Sequence, residues 1–363
     1  MSKKNKALIA VGGTGGHVFP GCNLAKHLKE RNFKVELVTD KRGNNYLKNY
    51  QNYNISLLPS SPIETKNIFT LFSSSFLIFY SLLRSIIFLI LNRPSIIFGM
   101  GGYSSFTICV AASLLKIRYI IYENNFIIGK ANKYLLPLSK KILVSHKEIE
   151  GIPKKYENKK IVIGNIIKKE IIDFSSKKIP GTDTKKINIL VLGGSQAAQV
   201  FAETLPNIFL ECLEQGVRLK IYQQCLPSQN EKLKKFYEQK GIESEIFNFC
   251  DDLREYFSKV SLAITRSGSS MLAELTNAKI PFISVPLPSS ADGHQFKNAM
   301  FYQSKNLSFL IKEKDLNDKL SNLIIKIDEN NLLLEGIVKN QRQHSDKNVY
   351  KNIDQVLKSI SNE

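Results

Sequence analysis

Twice along this 363-residue sequence a short apolar run ends in clustered glycines and passes into a helical pattern: residues 7–11 into Gly12, Gly13, Thr14, Gly15, Gly16 and His17, and residues 187–192 into Gly193, Gly194, Ser195 and Gln196. A strand that feeds a glycine turn and then a helix begins a parallel βαβ unit. Both halves keep that rhythm. In the first, the pattern predicts a helix over 20–31, a strand over 34–38, a long apolar helix and a strand at 96–98 that ends in a second glycine loop over 99–105. A helix to 115, a strand over 119–123 and a last strand at 161–163 complete it. In the second, it predicts a helix to 215, strands at 217–222, 245–249, 260–264 and 281–285, a helix near 293–305 and helices of mixed charge beyond 313. The expected fold class is α/β, with two Rossmann-like, doubly wound parallel-sheet domains facing across a cleft and ligands at the carboxyl ends of the strands. Chain length favours two domains. Their expected limits are 1–163 and 187–340, joined by a linker over 164–186 that contains Pro180-Gly181, with a terminal helical segment over 341–363.

Charge divides unequally between the halves. The net charge is +19, yet residues 1–163 hold 24 Lys and Arg against 8 Asp and Glu, whereas the remainder holds 27 against 24. A solvated lysine coat would spread its excess over both, so the first half is expected to meet a nucleic acid, an anionic membrane face or an acidic ligand. That half also contains residues 68–91, apolar except for serines, Thr70 and Arg84. Spanning a bilayer needs about 20 apolar residues, and a central Arg costs at least about 2.5 kcal/mol. A core helix or a helix docked in the lipid interface fits better, and its apolar character on every face favours the interface. The five cysteines are odd in number and scattered, with no metal-type or redox-type spacing, which fits a reducing cytoplasm. The basic residues before the run at 7–11 resemble a leader, but that run is too short for one and reads as a first strand.

Residues 260–275 form the stretch of greatest chemical promise. A buried strand leads through Arg266, Ser267 and Gly268 into a helix, with Ser267 or Gly268 as N-cap. The amides of Ser269, Ser270 and Met271 would then face outward, where a diphosphate could accept them and the helix dipole would favour its charge. Ordinary α/β architecture produces the same pattern. The first glycine loop is neither a dinucleotide fingerprint, because Val18 stands where glycine or alanine is needed, nor a phosphate-binding P-loop, because Cys22-Asn23 follow Gly21 where Lys-Ser/Thr is needed. Consecutive glycines do allow backbone to approach a polar ligand closely. A histidine at a helix start has its imidazole kept neutral and able to accept a proton, so His17 is either a general base or a capping residue.

These motifs carry a family resemblance. The segments GGTGGHVFPG (Gly12 to Gly21), GMGGYSS (Gly99 to Ser105), Glu123-Asn124-Asn125, GGSQ, TRSGSSMLAE (Thr265 to Glu274) and His294-Gln295 with Asn298-Ala299 resemble, in order, those of glycosyltransferase family 28. Within it they look like the N-acetylglucosaminyltransferases of peptidoglycan synthesis. The resemblance implies a GT-B fold: an acceptor- and membrane-binding domain first, a UDP-sugar domain second, and a C-terminal helix crossing back to the first. The stripe of Val349, Ile353, Val356, Leu357 and Ile360 suits that helix.

It further implies that UDP-N-acetylglucosamine lies on the second domain. Backbone at Cys250 would hold the uracil, Ser269, Ser270, Met271, Leu272 and Ala273 the diphosphate, Glu274 the ribose and Gln295 the sugar hydroxyls. Ser195, with Thr14, Gly15, Gly16 and Asn125, would complete the donor and acceptor contacts. Taken singly, Glu274 could be a solvated helix face, Gln295 a helix start and Asn125 a turn residue. The implied partner is a lipid-linked muramoyl-pentapeptide on an anionic cytoplasmic membrane surface, the protein sitting peripherally on the bacterial inner membrane. The acceptor's 4-hydroxyl would displace UDP with inversion, His17 taking its proton and Arg266 with the helix start receiving the leaving diphosphate. No metal or cofactor is expected. Aromatics do not interleave with basic residues at the glycine loops, which argues against nucleic acid. The chain departs from the family at Lys168, where arginine is usual, at Ile166 and Ile167 for Pro-Val, at Ala197 for glycine, and at His294 for a frequent glutamine. Lysine there keeps charge but loses the bidentate fork. Rivals to this activity are a family member acting on a diacylglycerol and a non-catalytic nucleotide-binding protein.

Overall fold

The computed structural model describes residues 6–50, 52–60, 68–174, 186–248, 250 and 252–361, with side chains described at all of these except 68–73, 195–198 and 361. Two compact units result, Met1–Ile167 together with Asn348–Glu363, and Lys168–Lys347.

The first unit runs β1 (Lys6–Ala10), α1 (Gly15–Glu30), β2 (Lys34–Thr39), α2 (Lys41–Asn44), β3 (Asn54–Leu57), α3 (Ile68–Asn92) and β4 (Ile96–Gly99). It continues through α4 (Gly102–Leu114), β5 (Tyr119–Glu123), α5 (Lys130–Leu135), β6 (Lys141–Val144) and β7 (Lys160–Val162). Its seven strands are all parallel in the order β3-β2-β1-β4-β5-β6-β7. A parallel sheet is covered on both faces, which is why these strands read as continuous apolar runs. Leu8, Ala10, Ile97, Ile121, Ile142 and Val144 form its core with Ile108, Cys109 and Ala112 of α4.

The second unit runs α6 (Lys169–Ile172), β8 (Ile187–Leu192), α7 (Gly194–Glu214), β9 (Leu219–Gln224), α8 (Asn230–Gln239), β10 (Glu243–Phe247) and α9 (Arg254–Phe257). It ends with β11 (Leu262–Thr265), α10 (Ser269–Ala278), β12 (Phe282–Ser284), α11 (His294–Ser304), β13 (Phe309–Leu310), α12 (Leu316–Glu329) and α13 (Leu332–Gln343). Six parallel strands lie in the order β10-β9-β8-β11-β12-β13. Ile189, Val191, Ile221, Ile264 and Ile283 meet Phe201, Leu205 and Phe209 of α7 on one side of that core.

The last helix, α14 (Val349–Ser361), belongs to the first unit. Val349, Ile353, Val356 and Ile360 are buried there. Asp354 stands 2.8 Å from His27 Nε2 and takes Arg31 Nη2 at 2.5 Å, while Tyr350 donates to the Ile167 carbonyl at 2.6 Å. Residues 164–167 also stay with this unit, where the Ile166 amide donates to the Tyr122 hydroxyl at 3.0 Å and both isoleucines are buried. Chain continuity passes to the second unit at Lys168, and residues 175–185 of the expected linker lie outside the described residues.

The apolar helix α3 turns a line of serines inward, while Ser75 and Arg84 are exposed. Ser74, Ser81, Ser85 and Leu89 are buried along one stripe, and the Ser81 hydroxyl donates to Pro59 O and lies 3.1 Å from the Thr107 hydroxyl of α4. Phe76, Phe79, Leu83, Ile87 and Leu91 face out, at 44–79% exposure. This reverses the usual amphipathic arrangement. The helix is long and apolar enough to cross a membrane, with 22% of Ser74–Asn92 buried inside the fold.

Candidate functional site

In each sheet the strand order turns outward at one point, between β1 and β4 in the first unit and between β8 and β11 in the second. Ligands of doubly wound sheets bind at such crevices, beyond the carboxyl ends of the strands. The loops that leave these four strands are those the sequence marked.

In the first unit the two glycine loops close on each other and on His17. A Cβ on Gly12 would stand 2.6 Å from the Gly101 carbonyl oxygen, and one on Gly101, whose φ is +96°, would stand 2.8 Å from two atoms of the His17 ring. These glycines are required by the protein's own packing. Gly16 is different: a Cβ there would meet nothing nearer than the Thr14 hydroxyl at 3.9 Å. Glycine at that point leaves open space at an exposed helix start.

That helix begins earlier than its sequence pattern predicts. Thr14 is extended and caps α1, its carbonyl accepting the His17 amide at 3.0 Å and the Val18 amide at 3.1 Å. Gly15, Gly16 and His17 therefore form the first helical turn instead of a loop. Pro20 sits inside α1 and has no N–H for the Gly16 carbonyl four residues back. Asn124 Nδ2 donates to that carbonyl at 3.0 Å instead. Glu123, buried beside it, accepts the Asn125 amide and Nδ2, the Gly129 amide and Asn132 Nδ2, all at 2.9–3.0 Å. The carboxylate thereby fixes the Asn125 side chain.

In the second unit α10 starts behind Gly268, and its first bond of helical spacing runs from the Leu272 amide to the Gly268 carbonyl at 3.1 Å. The amides of Ser269, Ser270 and Met271 precede that ladder. Leu272 and Ala273 differ from expectation: the Leu272 amide is spent in the helix, and both side chains are wholly buried in the core. Arg266 also departs from its expected role. It is 6% exposed, with its guanidinium paired to Glu313, donating to Val285 O at 3.3 Å and stacked 4.7 Å from the centre of Phe201. A guanidinium so engaged supports the β11 turn through Nη1 and Nη2, while its buried Nε has no partner among the described residues.

Gln295 organises that turn. Its Oε1 accepts the Ser267 amide at 3.1 Å and the Leu287 amide at 3.0 Å, and Asn298 Nδ2 donates to the Ser267 carbonyl at 3.1 Å. The Ser267 amide and carbonyl are thus both pinned by α11 side chains, and among the described residues Gln295 Nε2 has no acceptor.

Glu274, one turn into α10, is partly exposed. Burial of its carboxyl pushes it up to about 7, against the opposing pull of the Lys168 ammonium. Lys168 also helps to hold Asp252 low, an effect due first to the Arg254 hydrogen bond. The lysine that stands in the family's arginine position is thus near both Glu274 and the turn after Cys250. Cys250 points its thiol at the Asp252 carbonyl, 3.2 Å away, while its neighbours Phe249 and Asp251 lie outside the described residues. Ser195 occupies the first turn of α7, and its side chain likewise lies outside the described residues. Among the described residues no three His, Cys, Asp or Glu side chains are grouped to hold a metal ion.

Glu123, Asn124 and Asn298 were visible in the motifs but not as supports. The signal for Asn124 was Pro20: a proline near a helix start orphans one carbonyl, which needs a donor from elsewhere.

Comparison with known proteins agrees with this layout. A model of the glycosyltransferase family 28 N-terminal domain matches residues 7–144, and one of its C-terminal domain matches residues 188–355. A Pelagibacter ubique protein named UDP-N-acetylglucosamine–N-acetylmuramyl-(pentapeptide) pyrophosphoryl-undecaprenol N-acetylglucosamine transferase is 35% identical over 99% of both chains. A Rickettsia canadensis protein of the same name is 32% identical over 91% of this chain and 92% of its own. The crystal structure of Acinetobacter baumannii MurG superposes with a TM-score of 0.77 over 98% of this chain and 99% of that one at 24% identity, so the fold is GT-B. With two tandem domain models and a relative matched nearly end to end, the chain belongs to glycosyltransferase family 28.

Proposed function

We propose that this chain transfers N-acetylglucosamine from UDP-N-acetylglucosamine to the 4-hydroxyl of undecaprenyl-diphospho-N-acetylmuramoyl-pentapeptide, the step that completes the lipid-linked disaccharide of peptidoglycan. The observation that carries the reading is the end-to-end match to relatives bearing that activity in their names. The two switch-point sites supply parts suited to it. On the second unit, the amides of Ser269, Ser270 and Met271 would take the donor diphosphate, Glu274 the ribose and Gln295 Nε2 a sugar hydroxyl. Cys250 backbone would hold the uracil, and Ser195 would border the sugar. On the first unit, Thr14, Gly15, Gly16 and Asn125 would receive the acceptor beside His17.

The acceptor oxygen attacks the anomeric carbon, the bond to UDP breaks with its electron pair going to the diphosphate, and His17 takes the hydroxyl proton. Charge developing on UDP meets the α10 amides and dipole, which assist departure. Incubating the purified chain with radiolabelled UDP-N-acetylglucosamine and either the muramoyl-pentapeptide lipid or a diacylglycerol tests the reading. Label should enter only the first; label in diacylglycerol would replace the acceptor.

Gly16→Ala separates binding from folding. Because no protein atom crowds that position, thermal stability should be unchanged or higher by about 0.5–1 kcal/mol, as for other Gly-to-Ala changes in helices. The acceptor KM should rise. A variant that melts early, or that keeps the wild-type KM, would contradict an acceptor at this helix start.

The first unit is further proposed to rest on an anionic membrane surface through the outward face of α3, which would bring the enzyme to its lipid-bound acceptor. Phe79→Glu with Ile87→Glu should abolish sedimentation with phosphatidylglycerol vesicles while sparing turnover of a water-soluble, short-prenyl acceptor. Undiminished sedimentation would refute the docking.

A further inference from the structure

Arg42 lies where its role is not explained by folding. It follows β2 in the single turn of α2, is 56% exposed, and among the described residues its one partner is Asp40, at a long 3.4 Å from Nη2. Its Nε edge lies against the first glycine loop: a Cβ on Gly13 would stand 3.0 Å from Arg42 Nε and 3.0 Å from Asp40 Oδ1. Most of its five donors remain unspent.

Asp40, by contrast, is fully engaged. It is 6% exposed and accepts the Gly43 amide at 2.8 Å and the Ser60 hydroxyl at 2.6 Å. Ser104, in the part of the second glycine segment that forms the first turn of α4, donates to Ser60 at 3.2 Å. A chain of hydrogen bonds therefore links Arg42 through Asp40 and Ser60 to the other loop that packs on His17. The buried carboxylate engages one end of the guanidinium, and the other end has no partner among the described residues.

We propose that Arg42 binds the diphosphate of the lipid-linked acceptor, with Asp40 as the residue that positions it. This rests on the transferase reading above. Arginine presents a planar fork that matches phosphate oxygens in pairs. The donor's diphosphate has its own receptor on the second unit, at α10. The acceptor's diphosphate is the remaining anion of the reaction, and Arg42 borders the same loop that leads, four residues on from Gly13, to the proposed base.

Steady-state kinetics of Arg42→Gln and Arg42→Lys with UDP-N-acetylglucosamine and a short-prenyl diphospho-muramoyl-pentapeptide test the assignment, with prenyl diphosphate and prenyl monophosphate as inhibitors. Arg42→Gln should raise the acceptor KM about 10–100-fold, as loss of a charge-assisted pair does, and leave the donor KM within about twofold. Wild type should prefer the diphosphate inhibitor, and the Gln variant should lose that preference. Arg42→Lys should fall between, and it decides the matter if the Gln variant does not fold. An unchanged acceptor KM, or equal rises in both KM values, would overturn the proposal. If the wild type transfers no sugar to this acceptor, the transferase reading fails instead. Arg42 is then judged by direct binding of prenyl diphosphate to the wild type and Arg42→Gln: tighter binding by the wild type sustains it, and equal binding removes it.

Discussion

Replacing His17 by alanine should lower kcat by about 10²–10⁴-fold, the range that a positioned general base contributes. The donor KM should stay within about twofold, because the proposed donor subsite lies on the other unit. The ring is held by Gly12, Gly101 and Gly102, so a smaller residue leaves a gap in the loops without touching the sheet. Thermal melting of the variant should therefore remain cooperative. Turnover at the wild-type rate would remove His17 from the chemistry and leave it as a spacer between the glycine loops. Selective loss of donor binding would place it at the wrong substrate.

Glu274→Ala should raise the donor KM by about 10–100-fold, as expected when a carboxylate that accepts two hydroxyl protons is lost. Its pH dependence is the sharper test. Burial lifts the Glu274 carboxyl to about 7, so in the free enzyme the protonated form gains weight as pH falls below that value. Ribose hydroxyls donate to the ionised form, and donor binding must then expel the proton. The donor KM should accordingly increase as pH drops from 8 to 6, approaching about tenfold per unit below the carboxyl's pKa. Glu274→Gln should have a high donor KM that no longer varies over that window. A Gln variant with the wild-type pH profile would show that another group titrates, and equal losses for donor and acceptor would contradict a ribose role.

The strand and helix order was readable because inner parallel strands such as β4 and β8 are buried on two faces and run into glycine. Residues 96–98 and 187–192 show it plainly. Short strands such as β3, at the sheet edge, and β6, inside it, were not foreseen, since four residues carry little periodic signal. The site residues divide along the same line. Gly12, Gly101 and His17 converge because topology brings the β1 and β4 loops together, and the order of strands is a property that spacing alone does not encode. Arg266 reads in sequence as a cation beside an anion site, yet Glu313, 47 residues later, captures it. Ser81 and Ser85 read as flaws in an apolar helix, but they are its packed face. In each case a distant partner decided what a local pattern left open.

Central to the account is the reception of the departing UDP by backbone at the start of α10. A crystal structure with bound UDP-N-acetylglucosamine measures that most directly. The account predicts diphosphate oxygens within hydrogen-bond reach of the Ser269, Ser270 and Met271 amides, with the ribose on Glu274. A diphosphate seated instead on the first unit, at Thr14 and Gly16, would contradict it.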